Sequence, residues 1–134
     1  MADHTELIQA ALAARELAHA PFSKFPVGAA LRTSDGATIT GANVESASYG
    51  LSCCAERIAI FKALTDGHTN FTSLAIASPG GAAPCGACRQ VIAEQAPTAT
   101  LILIDSNHPD TATETNITTL LPNSFTADDL PTDN

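Results

Sequence analysis

VGAALRTSDGATITGAN, Val27 to Asn43, reads as two β-strands, Val27 to Thr33 and Ala37 to Asn43, folded back on each other by the Ser34-Asp35-Gly36 turn. Helical patterns flank it. Upstream, Leu7, Ile8, Ala11, Leu12 and Leu17 recur at helical spacing, and Asp3 and Glu6 are spaced as a capping box. A helix is therefore expected from Thr5 to His19, stopping before Pro21. Downstream, Ala55, Ile58, Ala59, Phe61 and Leu64 predict a helix over Cys54 to Thr65, with Gly67 as its C-terminal stop. A short buried strand follows at Leu74 to Ala77, then the turn-rich stretch SPGGAAP, Ser78 to Pro84. The remaining elements are a helix from Ala87 to Gln95 ended by Pro97, a strand from Leu101 to Ile104 and a helical turn from Ile117 to Leu121. Strands alternating with helices predict an α/β fold, a three-layer α-β-α sandwich around a mixed sheet. No repeat or boundary interrupts the chain, so a single domain is expected over 1–134, with the last ten residues fraying except Phe125, which leaves a frayed tail from about 126 to 134.

Charge narrows the partners. The formal net charge is −8, and all the basic residues (Arg15, Lys24, Arg32, Arg57, Lys62 and Arg89) precede seven acidic ones, Glu94, Asp105, Asp110, Glu114, Asp128, Asp129 and Asp133. Nucleic-acid binding needs a basic groove that displaces counterions from phosphates, and no such stripe exists here. A neutral small molecule suits the chain better, and no nucleic-acid partner is expected. No apolar run is long enough to span a membrane, and the acidic, amphipathic start does not resemble an export signal. Four cysteines in such a chain point to metal or catalysis before disulfides, and to the cytoplasm.

Two short motifs carry the chemistry: Cys54-Ala55-Glu56, and later Pro84-Cys85-Gly86-Ala87-Cys88. C-x-x-C opening a helix lets two thiolates face one metal, where the unpaired N–H groups of the first turn favour their charge. Cys54 also opens a helix and offers a third sulfur. Three protein ligands leave the fourth tetrahedral position of a zinc ion for water, which separates a catalytic site from a closed structural one. Glu56 stands two residues beyond Cys54, within reach of that water without itself being a ligand. Arg57 could hydrogen-bond the thiolates and offset the charge that three of them bring to zinc. Other readings stay open for the separate parts. C-x-x-C alone is also a structural-zinc or redox motif, Cys53 could close a four-cysteine site or pack as a small hydrophobe, and a lone helical Glu is usually a solvated charge.

The conjunction is similar to the signature of zinc-dependent deaminases, H-x-E followed by P-C-x-x-C with Cys able to replace His. The chain resembles the small homotetrameric cytidine deaminases from Phe22 to Leu130. The resemblance is carried by FSKFPVGAAL (Phe22 to Leu31), GANVESASYGLSCCAER (Gly41 to Arg57), PCGACRQV (Pro84 to Val91) and LLPNSF (Leu120 to Phe125). It implies a cytidine deaminase-like fold with a five-stranded sheet, one zinc per subunit on Cys54, Cys85 and Cys88, and Glu56 as the proton shuttle. It also implies that Phe25 flanks the pyrimidine, that Asn43 and Glu45 hydrogen-bond the ribose, that main-chain groups near Ala47 contact the base, and that the Pro84 carbonyl helps hold the departing amino group. Tyr49 and Phe125 match positions that reach into a neighbouring subunit's site in a homotetramer. Departures from the family pattern are Phe22 in place of Tyr, Ser46 in place of Asn and Cys53 in place of an aliphatic residue; they bear on substrate range, not on reaction type.

The expected reaction is hydrolysis of free cytidine and deoxycytidine to uridine and deoxyuridine with release of ammonia, in pyrimidine salvage. A relative acting on 4-substituted cytidines or on a nucleoside antibiotic such as blasticidin S is the alternative within the same chemistry. A non-catalytic zinc-stabilised interaction domain is the alternative from another class; it gives no reason for Glu56 or for a three-ligand count.

Overall fold

In the computed structural model, which describes residues 3–131, five strands form one mixed sheet in the order β2-β1-β3-β4-β5. The hairpin of β1 (Gly28–Thr33) and β2 (Thr38–Ala42) is antiparallel, with Leu31 opposite Ile39. Next to it, β3 (Phe71–Ser78) runs antiparallel to β1 and parallel to β4 (Thr100–Asp105), and β5 (Ala112–Thr115) closes the far edge antiparallel to β4. Among neighbouring strands of the described sheet β3–β4 is the parallel pair, and a helix, α3 (Gly86–Gln95), carries the chain back between them.

Side chains leave the two faces of a strand alternately, so the sheet has two cores. Helix α1 (Thr5–Arg15) covers one face, where Leu7 and Ala11 pack on Ala30, Ala75, Ala77, Ile102 and Ile104. Helices α2 (Ala55–Thr65), α3 and α4 (Ile117–Leu120) cover the other, where Ile60, Ile92 and Ile117 meet Leu31, Leu74, Ile76 and Leu101. This is the α-β-α arrangement expected. Each Leu or Ile among them, fully buried, contributes about 1.5–3 kcal/mol. Two glycines let helices approach the hairpin. A Cβ at Gly28 would stand 2.1 Å from the Ala11 carbonyl oxygen, and one at Gly41 would stand 2.6 Å from the Ala59 nitrogen.

Several boundaries differ from the sequence reading. Helix α1 ends at Arg15, not His19, because the backbone of His19 is taken up elsewhere: its N–H donates to the Asn43 carbonyl and its own carbonyl accepts from Glu45. The expected capping box does not form, since the Asp3 carboxylate instead accepts from the backbone and hydroxyl of Thr5. Strand β3 is longer than Leu74–Ala77, and β5 was not expected from its residues. Gly67 does end α2: with φ of 93°, it donates to the Leu64 carbonyl while His68 donates to that of Ala63. Where fraying was expected from about 126, Thr126 caps a 3₁₀ turn over Ala127–Asp129 with a reciprocal capping box; residues 132–134 of that expected tail lie outside the described residues.

Candidate active site

The starts of two helices meet beneath one cavity. Cys54 is the N-cap of α2 and Cys85 that of α3, both in extended backbone, and neither side chain caps its own helix. Cys88 follows one turn into α3 and is buried. The Cys54 and Cys85 sulfurs are 3.7 Å apart, those of Cys85 and Cys88 are 3.5 Å apart, and all three lie within 4.8 Å of one another. Sulfurs at the corners of a tetrahedron around zinc, at about 2.3 Å from it, stand about 3.8 Å from each other, so the cluster fits that ion and leaves one corner open. Cys53 is not in the cluster. Its backbone pairs in both directions with Val44, and burial pushes its thiol up. The four-cysteine reading therefore has no geometric support.

Charge is distributed unevenly over these sulfurs. Donation from Cys88, followed by contact with Arg57, pulls Cys54 down to about 5. Cys88 is pushed up, first because its proton is held on Cys54 and then by burial. A cation at the cluster would reverse the Cys88 direction, since a coordinating thiol gives up its proton. Arg57 Nη2 lies 3.5 Å from Cys54 Sγ, within reach of a charge-assisted contact with that sulfur. Glu56, on the first turn of α2, is 4% exposed. Burial raises its carboxyl to about 7, near the pH at which a proton must be both taken and given.

The cavity above the cluster holds about 400 Å³ and is lined by Ser23, Phe25, Val27, Asn43, Glu45, Cys54, Glu56, Ile76, Ser78, Ala82, Ala83 and Cys85. It thus brings together Phe25, Asn43, Glu45, Cys54, Glu56 and Cys85 among the sequence-predicted residues. Asn43 and Glu45 have a second occupation that the sequence did not suggest. Asn43 Oδ1 accepts from Val27 N at 2.9 Å, and its Nδ2 donates to the Phe25 carbonyl at 3.0 Å. Glu45 Oε1 accepts from the backbone of Phe22 and Ser23 at 3.0 Å each, and its Oε2 accepts the Ser23 hydroxyl. The two side chains hold the segment 22–27 that bears Phe25. Lys24 there adopts φ of 57°, a left-handed backbone that a non-glycine residue takes only where its surroundings impose it.

Other expected residues lie outside the lining. Tyr49 is 76% exposed and meets Phe22 edge-on, with ring centroids 6.1 Å apart. Phe125 is 57% exposed, and its carbonyl accepts from Gln90 Nε2 of α3. Ala47 is exposed, and the Pro84 carbonyl accepts from Arg89 Nε at 2.8 Å. Ser23, Val27, Ile76, Ser78, Ala82 and Ala83 are lining residues that sequence reasoning missed. The first two flank Phe25 and could have been found by that neighbourhood; Ser78, Ala82 and Ala83 were legible only as a turn.

Comparison with known proteins agrees with this geometry. The family model "Cytidine and deoxycytidylate deaminase zinc-binding region" matches residues 1–104. A cytidine deaminase from Halalkalibacterium halodurans is 45% identical over 130 residues, covering 96% of this chain and 98% of that protein. A crystal structure of cytidine deaminase from Burkholderia pseudomallei superposes with a TM-score of 0.87 at 47% identity, covering 92% of this chain and 100% of that one. Further off, a blasticidin-S deaminase from Bacillus cereus is 33% identical over 114 residues, covering 78% of this chain and 79% of that protein. With the match extending along nearly the whole chain and the cysteine cluster supplying donors for the zinc, this protein belongs to the cytidine and deoxycytidylate deaminase family.

Proposed function

We propose that the chain hydrolyses free cytidine and deoxycytidine to uridine and deoxyuridine, releasing ammonia. The observation that carries this reading is the convergence of Glu56, the cysteine cluster and Phe25 on one cavity. Cys54, Cys85 and Cys88 would hold zinc, which when bound supplies the Lewis acidity that readies the attacking water. Glu56 takes the proton of that water at its carboxylate, passes it to ring nitrogen 3 and so makes carbon 4 electrophilic. Once the water oxygen has bonded to carbon 4, Glu56 collects the second proton of that oxygen and delivers it to the amino nitrogen, so that the C4–N bond breaks, ammonia leaves and the uridine carbonyl forms.

Substrate recognition falls to the segment 22–27 and its holders. Phe25 offers a ring face to the pyrimidine. Asn43 spends one of two N–H groups and one lone pair on Phe25 and Val27, which leaves a donor and an acceptor for a ribose hydroxyl. Glu45 Oε2 likewise retains a lone pair beyond the one used by Ser23. Two carboxylates and no Lys or Arg side chain line the cavity, an environment that favours a nucleoside over its phosphate. The blasticidin-S deaminase among the relatives keeps a second reading in view, a substrate with an enlarged 4-position or sugar.

The exposed rings of Tyr49 and Phe125 support a homotetramer in which neighbouring subunits complete each site, with Ala47 and Pro84 contributing main-chain contacts to the base and the amino group. Four free thiols suit a reducing compartment, so we place the reaction in the cytoplasm, in pyrimidine salvage. Loss of cytidine absorbance by the purified protein, with zinc content measured alongside, tests the reading. Glu56→Gln is expected to keep its zinc and lose at least about a thousandfold in turnover; a variant turning over near the wild-type rate would refute the assignment, and a panel including blasticidin S separates the two substrates.

A further inference from the structure

The chain leaves β3 and reaches Cys85 through Pro79, Gly80, Gly81, Ala82, Ala83 and Pro84, and this turn forms one wall of the cavity. Gly80 and Gly81 are both left-handed, with φ of 83° and 68°, so little in the local backbone preference of the turn fixes its path. What fixes it is the end of the neighbouring strand. Ser78 and Asp105 are partners in the parallel β3–β4 register. Asp105 Oδ1 accepts from Gly80 N at 2.9 Å and from Asn107 N at 2.9 Å, while Oδ2 lies 3.1 Å from His108 Nδ1. The Ser78 carbonyl accepts from both Gly81 N and Ser106 N, and Ser78 Oγ accepts from Ala82 N at 2.9 Å. Gly81 also rests on Asp105 directly, since a Cβ there would stand 3.3 Å from Asp105 N. Six hydrogen bonds therefore run between or beside the two strand ends and the turn. One carboxylate, outside the cavity, takes part in three of them.

We infer that Asp105 is a positioning residue for substrate: its carboxylate holds the Gly80–Gly81 turn so that Ala82 and Ala83 stand against the bound base. The inference rests on the cytidine reading above. Its bond to Gly80 spans from one strand end to the turn, and the bond to Asn107 braces the carboxylate from its own side. Without it, two adjacent glycines join the wall to the sheet, and the wall is anchored by Ser78 alone. Cys85 is held independently, as N-cap of a helix that is packed along its length, so metal retention does not depend on Asp105.

The test compares the zinc-loaded wild-type chain with Asp105→Ala and Asp105→Asn. Asparagine keeps the oxygen that receives Gly80 and Asn107; alanine removes it. Asp105→Ala is expected to raise KM for cytidine roughly tenfold with kcat within about threefold and zinc still at one per chain, and Asp105→Asn to restore KM to within about threefold of wild type. A KM unchanged in Asp105→Ala, or raised equally in Asp105→Asn, overturns the inference, because a merely structural role would lower melting temperature without that split. Should Asp105→Ala not fold, Asp105→Ser, whose shorter hydroxyl does not reach Gly80, carries the same expectation and the same refutation. Wild-type protein inactive on cytidine would instead count against the reading on which the inference rests.

Discussion

Gly41→Ala should damage stability and turnover together. Gly41 lies in β2 facing α2, and a methyl group there would stand 2.6 Å from Ala59 N and 2.7 Å from Ala55 O. Both are helix backbone atoms, which cannot rotate away, so α2 must withdraw by nearly an ångström to restore an ordinary contact. Overpacking of this kind costs about 3 kcal/mol. The unfolding entropy of a chain of 134 residues is about 280 cal/mol/K, so the melting temperature should fall by about 10 °C. Ala55 is the first residue of the helix that carries Glu56 and follows Cys54, and the same withdrawal displaces both relative to α3 and Cys85. A misplacement of about 1 Å costs on the order of a hundredfold in rate. Thermal unfolding and steady-state turnover of the same preparation read the two effects. Gly50→Ala serves as control, because nothing lies within 4 Å of its added methyl. A Gly41→Ala variant that melts with the control and turns over normally would refute the claim that this glycine sets the seat of α2.

Two further outcomes follow from the site. Cys85→Ala should lose zinc and activity together, as measured by metal analysis and cytidine turnover; unchanged metal content would contradict the ligand set. Glu45 is held below the ordinary carboxylate range, chiefly by the Ser23 hydroxyl and then by the Ser23 backbone. Its folded-state value being depressed, its hold on segment 22–25 is complete above the unfolded value of about 4.3 and is lost as pH falls through the folded one. KM should therefore stay flat down to about pH 4.3 and rise only below it. Removing the largest cause with Ser23→Ala should move that rise to higher pH, and identical profiles for the two proteins would refute the link.

What could be read in advance was mostly local. The hairpin turn, the glycine stop of α2 and the two cysteine-bearing helix starts each follow from a few neighbouring residues. Strand β5 was not legible, since Ala112–Thr115 is exposed along most of its length and lacks alternation; only its pairing with β4 makes it a strand. The early end of α1 was hidden because the bonds that draw His19 out of the helix come from Asn43 and Glu45. The same distance in sequence concealed the way Asn43 and Glu45 brace the segment bearing Phe25. Family likeness supplied their names as site residues, but not this bracing. Ser78 and Asp105 went unnoticed because each is an ordinary strand-end residue until the parallel register sets them side by side.

The placement of Cys54 and Cys85 at the heads of different helices also concerns how much of the protein a cell keeps. With zinc held between them, the ion ties α2 to α3 across the intervening strand, and the free energy of binding adds to that of folding. Free zinc at a thousand times its dissociation constant would contribute about 4 kcal/mol, comparable with a large part of a small domain's whole margin. Chains made during zinc scarcity would spend more time open and fall to proteases first, so the supply of the ion would set the amount of enzyme as well as its activity.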